Sequence, residues 1–507
     1  MNQVSDVARH VSMRARGLAA PLDERLDERR VLLAIGLLGA AWGMAVAAGG
    51  LTSLYLCASL IACGFILFDF RIGVVLLILL MPMSGSSTLF PHEMFGVVGL
   101  NPLNLLLAGT LISCMLHALA DNSLRRLLPR PLLWLYIVPI LVAGAIGSRH
   151  TRQIAPTLLT IYEGLDFPDA ASYLRDMVLK PMLMVVFALL VGAAVAKSAR
   201  PERFLLPALM SICVVAALVP VYVAHSGIAL TALARDDSRE FLSTLGLHAN
   251  DLGRLYAVAY ALALFTWSDA ASRRLRLALL VALALTALAL ILTFSRGAFV
   301  ALAVVNGLYV LWRFSAKTLF LAALAVVAAL LFAPAAISER LASGHGAGLD
   351  AISAGRVNGL WLPLLPEVWR HPVLGNGIGS ILWSDAMRSG AGHMVLPVTH
   401  PHNAYLQGAL DMGVTGLLLL CAYFAHVWRG LRALAKDPGV TPALRGFYQG
   451  AAAGLAGILV ANFTDSSLTP RPEQAFLWLA IGMMYGYQAR RAAATAVARP
   501  AWDGAHA

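Results

Sequence analysis

The sequence predicts an all-α polytopic membrane protein of about 12–14 transmembrane helices, with one long outward-facing segment between the eleventh and twelfth predicted spans. Three observations carry this. Of 507 residues, 59% are hydrophobic and only 13% charged, far from the usage of a soluble globular chain. Apolar runs long enough to cross a hydrocarbon core of ~30 Å, which takes ~20 helical residues, recur from Val31 almost to the C-terminus. The 38 Lys and Arg residues collect in the connections between those runs.

In chain order, residues 1–30 form a basic arm carrying Arg9, Arg14, Arg16, Arg25, Arg29 and Arg30. It is longer than the basic start of a cleavable signal peptide, so 31–49 reads as a retained span despite the AVA at 45–47. Fourteen helices follow, near 31–49, 51–69, 72–83, 99–119, 131–147, 181–196, 204–225, 253–268, 275–294, 298–313, 318–336, 413–428, 446–464 and 474–489; the third is short and partly re-entrant. With the N-terminus inside, 25 of the 38 basic residues fall on inner segments, which supports this orientation and puts both termini in the cytoplasm. The chain thus divides into the arm 1–30, spans one to eleven at 31–336, an outer segment at 337–412, spans twelve to fourteen at 413–489 and a cytoplasmic tail at 490–507. Outer stretches 148–180 and 226–252 read as amphipathic or looped interfacial elements.

The net charge of +11 follows from topology, since no Lys/Arg run has the interleaved aromatics of a nucleic-acid site. The five cysteines, Cys57, Cys63, Cys114, Cys213 and Cys421, lie inside apolar runs, where they serve packing.

Candidate chemistry gathers on the outer side. In LTFSRGAFVAL, Ser295, Arg296 and Gly297 are the whole turn between two spans. Arg296 either snorkels to headgroups or holds a phosphate or diphosphate with its planar donor fork. Arg356 in SAGRVNGLW is either a second such cation or a solvated loop charge. The stretch THPHNAYLQGALDMGVTG at 399–416 is the most polar in its neighbourhood. Proline 401 pushes His400 toward an extended conformation, and Leu406, Ala409, Leu410 and Gly413 follow His402 at helical spacing. Asn403 stands where a helix start favours a short polar side chain. His402 is therefore displayed at a helix start, where nearby arginines favour its neutral, basic form. His400 reads more readily as a structural donor. Metal binding by His400, His402, His393 and Asp385 lacks a recognisable zinc spacing.

Together these residues resemble the O-antigen ligase and Wzy-type O-antigen polymerase superfamily of GT-C-like bacterial membrane glycosyltransferases. The resemblance is carried by His402, Asn403, Tyr405 and Leu406 followed by Gly413 and Gly416, by LTFSRGA at 292–298, GRVNGLW at 355–361 and the glycine-rich HPVLGNGIGS at 371–380, and spans roughly residues 240–480. It implies an inverting, metal-independent glycosyltransferase of lipopolysaccharide or exopolysaccharide biosynthesis. The enzyme would sit in the bacterial inner membrane with a periplasmic active site, and would need no cofactor. The implied donor is an undecaprenyl-diphosphate-linked glycan and the implied acceptor a glycan or the lipid A core, with contacts to other polysaccharide-assembly proteins and none to nucleic acid. On this reading Arg296 and Arg356 hold the donor diphosphate and His402 is the catalytic base. His400, Asn403, Tyr405, Ser295, Arg254 and Arg175 support the site or bind acceptor.

A Wzy-type polymerase, a protein O-oligosaccharyltransferase and a lipid-linked oligosaccharide flippase are the alternatives. The flippase is disfavoured because its charges should lie at mid-membrane depth, whereas here they lie in loops and span ends.

Overall fold

A computed structural model describes residues 28–498, apart from 87, 89–90, 92, 122, 124–127, 155, 163–164, 229–241, 243–244, 333–349, 351–352, 354, 389–397 and 465–466. Most of the N-terminal arm, the end of the C-terminal tail, His393 and Arg340 lie outside the described residues.

The described chain is built of helices: α1 (Glu28–Phe68), α2 (Phe70–Leu80), α3 (Pro102–Ala120), α4 (Arg130–Gly147), α5 (Ala170–Lys197), α6 (Leu205–Ser226), α7 (Ala249–Asp269), α8 (Arg273–Leu292), α9 (Arg296–Trp312), α10 (Ala316–Phe332), α11 (Leu362–Arg370), α12 (Ala404–Lys436), α13 (Pro442–Ala461) and α14 (Ala475–Ala498). A two-stranded hairpin pairs Glu93–Met94 with Val97–Val98. Among the described residues, seven helices are long and apolar enough to cross a membrane, and two apolar ones are shorter, so this is a multi-pass α-helical membrane protein.

Each sequence-predicted interval meets a helix, with three informative differences. The first two intervals are one helix broken at Gly50, whose φ of 59° no ordinary helical residue adopts. The third continues through a 3₁₀ turn at Met81–Met83. The interval at 181–196 begins much earlier, at Ala170, so the C-terminal part of the stretch 148–180, read as amphipathic or looped, is helix. Asp169 opens it with a reciprocal capping box to Ser172. Its charges are tolerated because Asp176 pairs with both Arg175 and Lys180.

The core is a set of close helix crossings made by small residues. Gly450 of α13 lies against the main chain of Ala261 in α7, and Gly486 of α14 against Gly192 in α5, with no room for a side chain at either glycine. Trp478, Tyr136 and Tyr423 fill the centre of the bundle, with Tyr136 and Tyr423 ring centroids 4.7 Å apart.

The loop between α11 and α12 packs back onto the start of α12. Gly375 has φ of 68° and packs its main chain against Asp411 and Met412, while Gly413, also at 68°, interrupts α12 against the main chain of Val373. Asn376 N donates to Leu410 O, Gly377 N to Asp411 O and Val414 N to Pro372 O. The buried Asp411 carboxylate accepts from Gly379 N and Ser380 N, both at 3.1 Å, and from Ser380 Oγ at 2.9 Å. Tyr173 Oη donates to Ile378 O at 2.6 Å and ties this loop to α5. The sequence boundary at 413 is thus a break within a helix that starts at Ala404.

Candidate functional site

The segment from His400 to Tyr405 is held at both ends. Trp361 Nε1, in the π-helical turn Val357–Trp361, donates to Pro401 O at 2.8 Å. Asn403 Oδ1 accepts from Tyr405 N at 3.0 Å and Leu406 N at 3.1 Å, capping α12. Tyr405 Oη donates to Leu459 O at 2.6 Å, and its ring packs 4.5 Å from Phe463. Between these anchors His402 takes φ of 50°, a left-handed conformation uncommon for a residue with a Cβ and costing of order 1 kcal/mol or more. Its ring meets His400 edge-to-face, centroids 4.1 Å apart.

His400 has a buried Nδ1 with no hydrogen-bond partner among the described residues. Burial, then the positive charges of His402, Arg471, Arg254 and Arg356, lower its pKa to about 2. Three arginines from three separate parts of the chain therefore act electrostatically on His400. Arg356 and Arg254 are oriented by their neighbours. Arg356 Nη1 donates to Thr464 O at 3.0 Å. Arg254, only 4% exposed, pairs with Asp251 and, at 2.8 Å, with Glu473. Burial pushes the Glu473 carboxyl up, while Arg254 and Arg471 oppose that shift.

The turn bearing Arg296 joins the same region. Phe294 is the second left-handed residue here, with φ of 49°. Ser295 caps α9 by accepting from Ala298 N and donates its hydroxyl to Asn250 Oδ1 at 2.9 Å, locking the turn to the start of α7. Gly297, next to Arg296, faces the hydroxyl of Thr464, the residue whose carbonyl receives Arg356; a Cβ added there would lie 3.9 Å from that oxygen. The starts of α7 and α9, the Arg356 turn and the HPHN segment thus share one end of the bundle.

Of the residues picked from the sequence, the structure gathers His400, His402, Asn403, Tyr405, Ser295, Arg254 and Arg356, with Arg296 on the adjoining turn. Arg175 is not joined to them: its guanidinium is committed to Asp176 on an exposed surface of α5. Sequence reasoning passed over Arg471, Glu473 and Asp411. A lone acid in the apolar stretch LQGALDMGV and the charged pair in TPRPEQ beside a span were the available signals.

Residues 281–421 match the model of a family described as O-antigen ligase. Over this stretch the chain is similar to O-antigen ligases. The matched stretch holds the Arg296 turn, Arg356, the glycine-rich loop and the histidine pair, while Arg254, Thr464, Arg471 and Glu473 lie outside it. No curated protein matches the chain.

Proposed function

We propose that this protein transfers a glycan from undecaprenyl diphosphate to a sugar hydroxyl on the periplasmic face of the inner membrane, as a ligase of surface polysaccharide. The observation that carries this reading is the histidine pair, with three arginines acting electrostatically on His400, inside the stretch similar to O-antigen ligases. The acceptor oxygen attacks the anomeric carbon in a single displacement as the bond to the diphosphate oxygen breaks. The electron pair leaves with the diphosphate, whose growing charge Arg296 and Arg356 stabilise. The acceptor proton passes to the His402 imidazole; a positioned base of this kind contributes typically ~10² to 10⁴-fold. The pKa of His400, lowered to about 2, supports giving this role to His402, since His400 is too weak a base to hold a proton near neutral pH. Asn403 and Tyr405 set the start of the helix behind it.

The test is a deletion strain complemented with His402→Ala or Arg296→Ala. Both variants should insert normally and abolish glycan attachment while long lipid-linked chains persist. Normal surface polysaccharide in either variant overturns the mechanism, and products of a single repeat unit assign the same chemistry to a polymerase.

A further inference from the structure

A second gathering of arginines lies at the opposite end of the bundle. Helix α5 is tied to the glycine-rich loop through Tyr173 and ends at Lys197, roughly 36 Å further along at about 1.5 Å per residue. Beyond Lys197, the connection to α6 borders a cavity of about 340 Å³. Arg71, at the start of α2, and Arg200 and Arg203, in the connection, line it together with the apolar Val75, Phe204 and Pro207. The three arginines are exposed, whereas Phe204 and Pro207 are buried and Val75 half-buried, so the cavity is charged at its mouth and apolar behind.

The walls are held from outside. Arg490 Nη1 of α14 donates to Ser198 O and, at 3.1 Å, to Ala199 O, which fixes the connection. Asp69 grips Arg71 through Nε and Nη2 and offsets its charge. Arg200 and Arg203 therefore supply the excess positive charge; Glu202, between them in sequence, is not among the residues lining the cavity. Topology asks only for positive charge in this connection, not for a cavity with arginines from two elements around it. Beside it, Leu206 and Met210 follow at i, i+4 on α6, 63% and 51% exposed, and begin an apolar stripe along a helix long enough to span the membrane.

We propose that this cavity seats the headgroup of an anionic phospholipid from the leaflet opposite the histidine–arginine site. Guanidinium forks match the oxygens of a phosphodiester, and arginines at span ends stand at the depth of the headgroups. The apolar wall and the Leu206–Met210 stripe take the acyl chains, surface for which a free phosphate has no use. None of Arg254, Arg296, Arg356, His400 and His402 contributes, so the site is independent of the proposed transfer reaction. A lipid held there bridges the start of α2 and the connection between α5 and α6.

The experiment measures binding of dioleoyl phosphatidylglycerol, dioleoyl phosphatidylcholine and inorganic phosphate to the full-length protein in detergent. The wild type should bind the anionic lipid roughly tenfold or more tightly than the zwitterionic one, since Arg200 and Arg203 each contribute about fivefold. Millimolar inorganic phosphate should not displace it. Ala199 lines the cavity from an exposed position, so Ala199→Trp fills it without changing any charge. That variant, and Arg200→Gln with Arg203→Gln, should bring the two lipids to within about twofold of each other. Arg273→Gln with Arg274→Gln removes two exposed cations from the same end of the bundle, at the start of α8 and outside the cavity, and should keep the wild-type ratio. Equal losses in the two arginine pairs reduce the preference to general surface charge and overturn the proposal, as does an unchanged ratio in Ala199→Trp. Displacement by millimolar phosphate overturns it too, making the cavity a site for a free anion.

Discussion

Asp411→Ala removes the side-chain acceptor that, among the described residues, holds the glycine-rich loop to the helix behind His402. Its carboxylate receives two main-chain amides and the Ser380 hydroxyl in a buried setting. Alanine leaves all three donors without a partner, and each buried unsatisfied donor costs about 1–3 kcal/mol. The direct bonds between Asn376, Gly377 and α12 remain, so the expected loss is about 3–6 kcal/mol, below the simple upper limit. Asp411→Asn keeps an acceptor oxygen in place and loses only the charge assistance, so it should cost about 1–2 kcal/mol. Thermal unfolding in detergent measures the order wild type, Asn, Ala. Complementation of glycan attachment measures the second effect: a helix start displaced by ~1 Å can lower the rate by ~10²-fold, and the alanine variant should lose transfer even where it is still folded. An Asp411→Ala protein with wild-type melting and wild-type attachment would show that the loop is held by its main-chain seam alone.

Two further outcomes follow from buried charge. Because burial and its cationic neighbours depress the His400 pKa to about 2, the unfolded chain takes up a proton there before the folded one does, and stability falls as pH drops below ~6.5. Between pH 7 and pH 5 His400 should account for about 2 kcal/mol of that loss, and a pH series of melting temperatures should show a shallower slope for His400→Gln; identical slopes refute it. Arg254→Met strands Glu473 in the interior and should destabilise by about 3–5 kcal/mol, whereas Arg254→Met with Glu473→Gln should recover much of it. A double variant no more stable than the single one sinks that account.

The helices were readable in the sequence because each apolar run ends at a basic or glycine-containing connection, and even the break at Gly50 fell between two predicted intervals. The early start of α5 was hidden because Arg175, Asp176 and Lys180 look like loop residues until their mutual pairing is seen. Within the site, HPHN and the Arg296 turn stood out because polar residues at span ends need a reason. Arg471 and Glu473 did not, since their meaning depends on Arg254, more than two hundred positions earlier in the chain. The left-handed backbone of His402 was equally invisible, for a cap at Asn403 predicts where a helix begins but not the torsion of the residue before it.

Among the described residues, the seam between the glycine-rich loop and α12 is written almost wholly in main-chain atoms, with Asp411 as its side-chain rivet. Such a joint is indifferent to most of the side chains that radiate from it. The side chains of Arg370, Leu374 and Asp385 make none of its hydrogen bonds. A joint of this kind fixes the spacing between the loop and the helix start by main-chain geometry, so substitutions in the side chains around it leave that spacing unchanged.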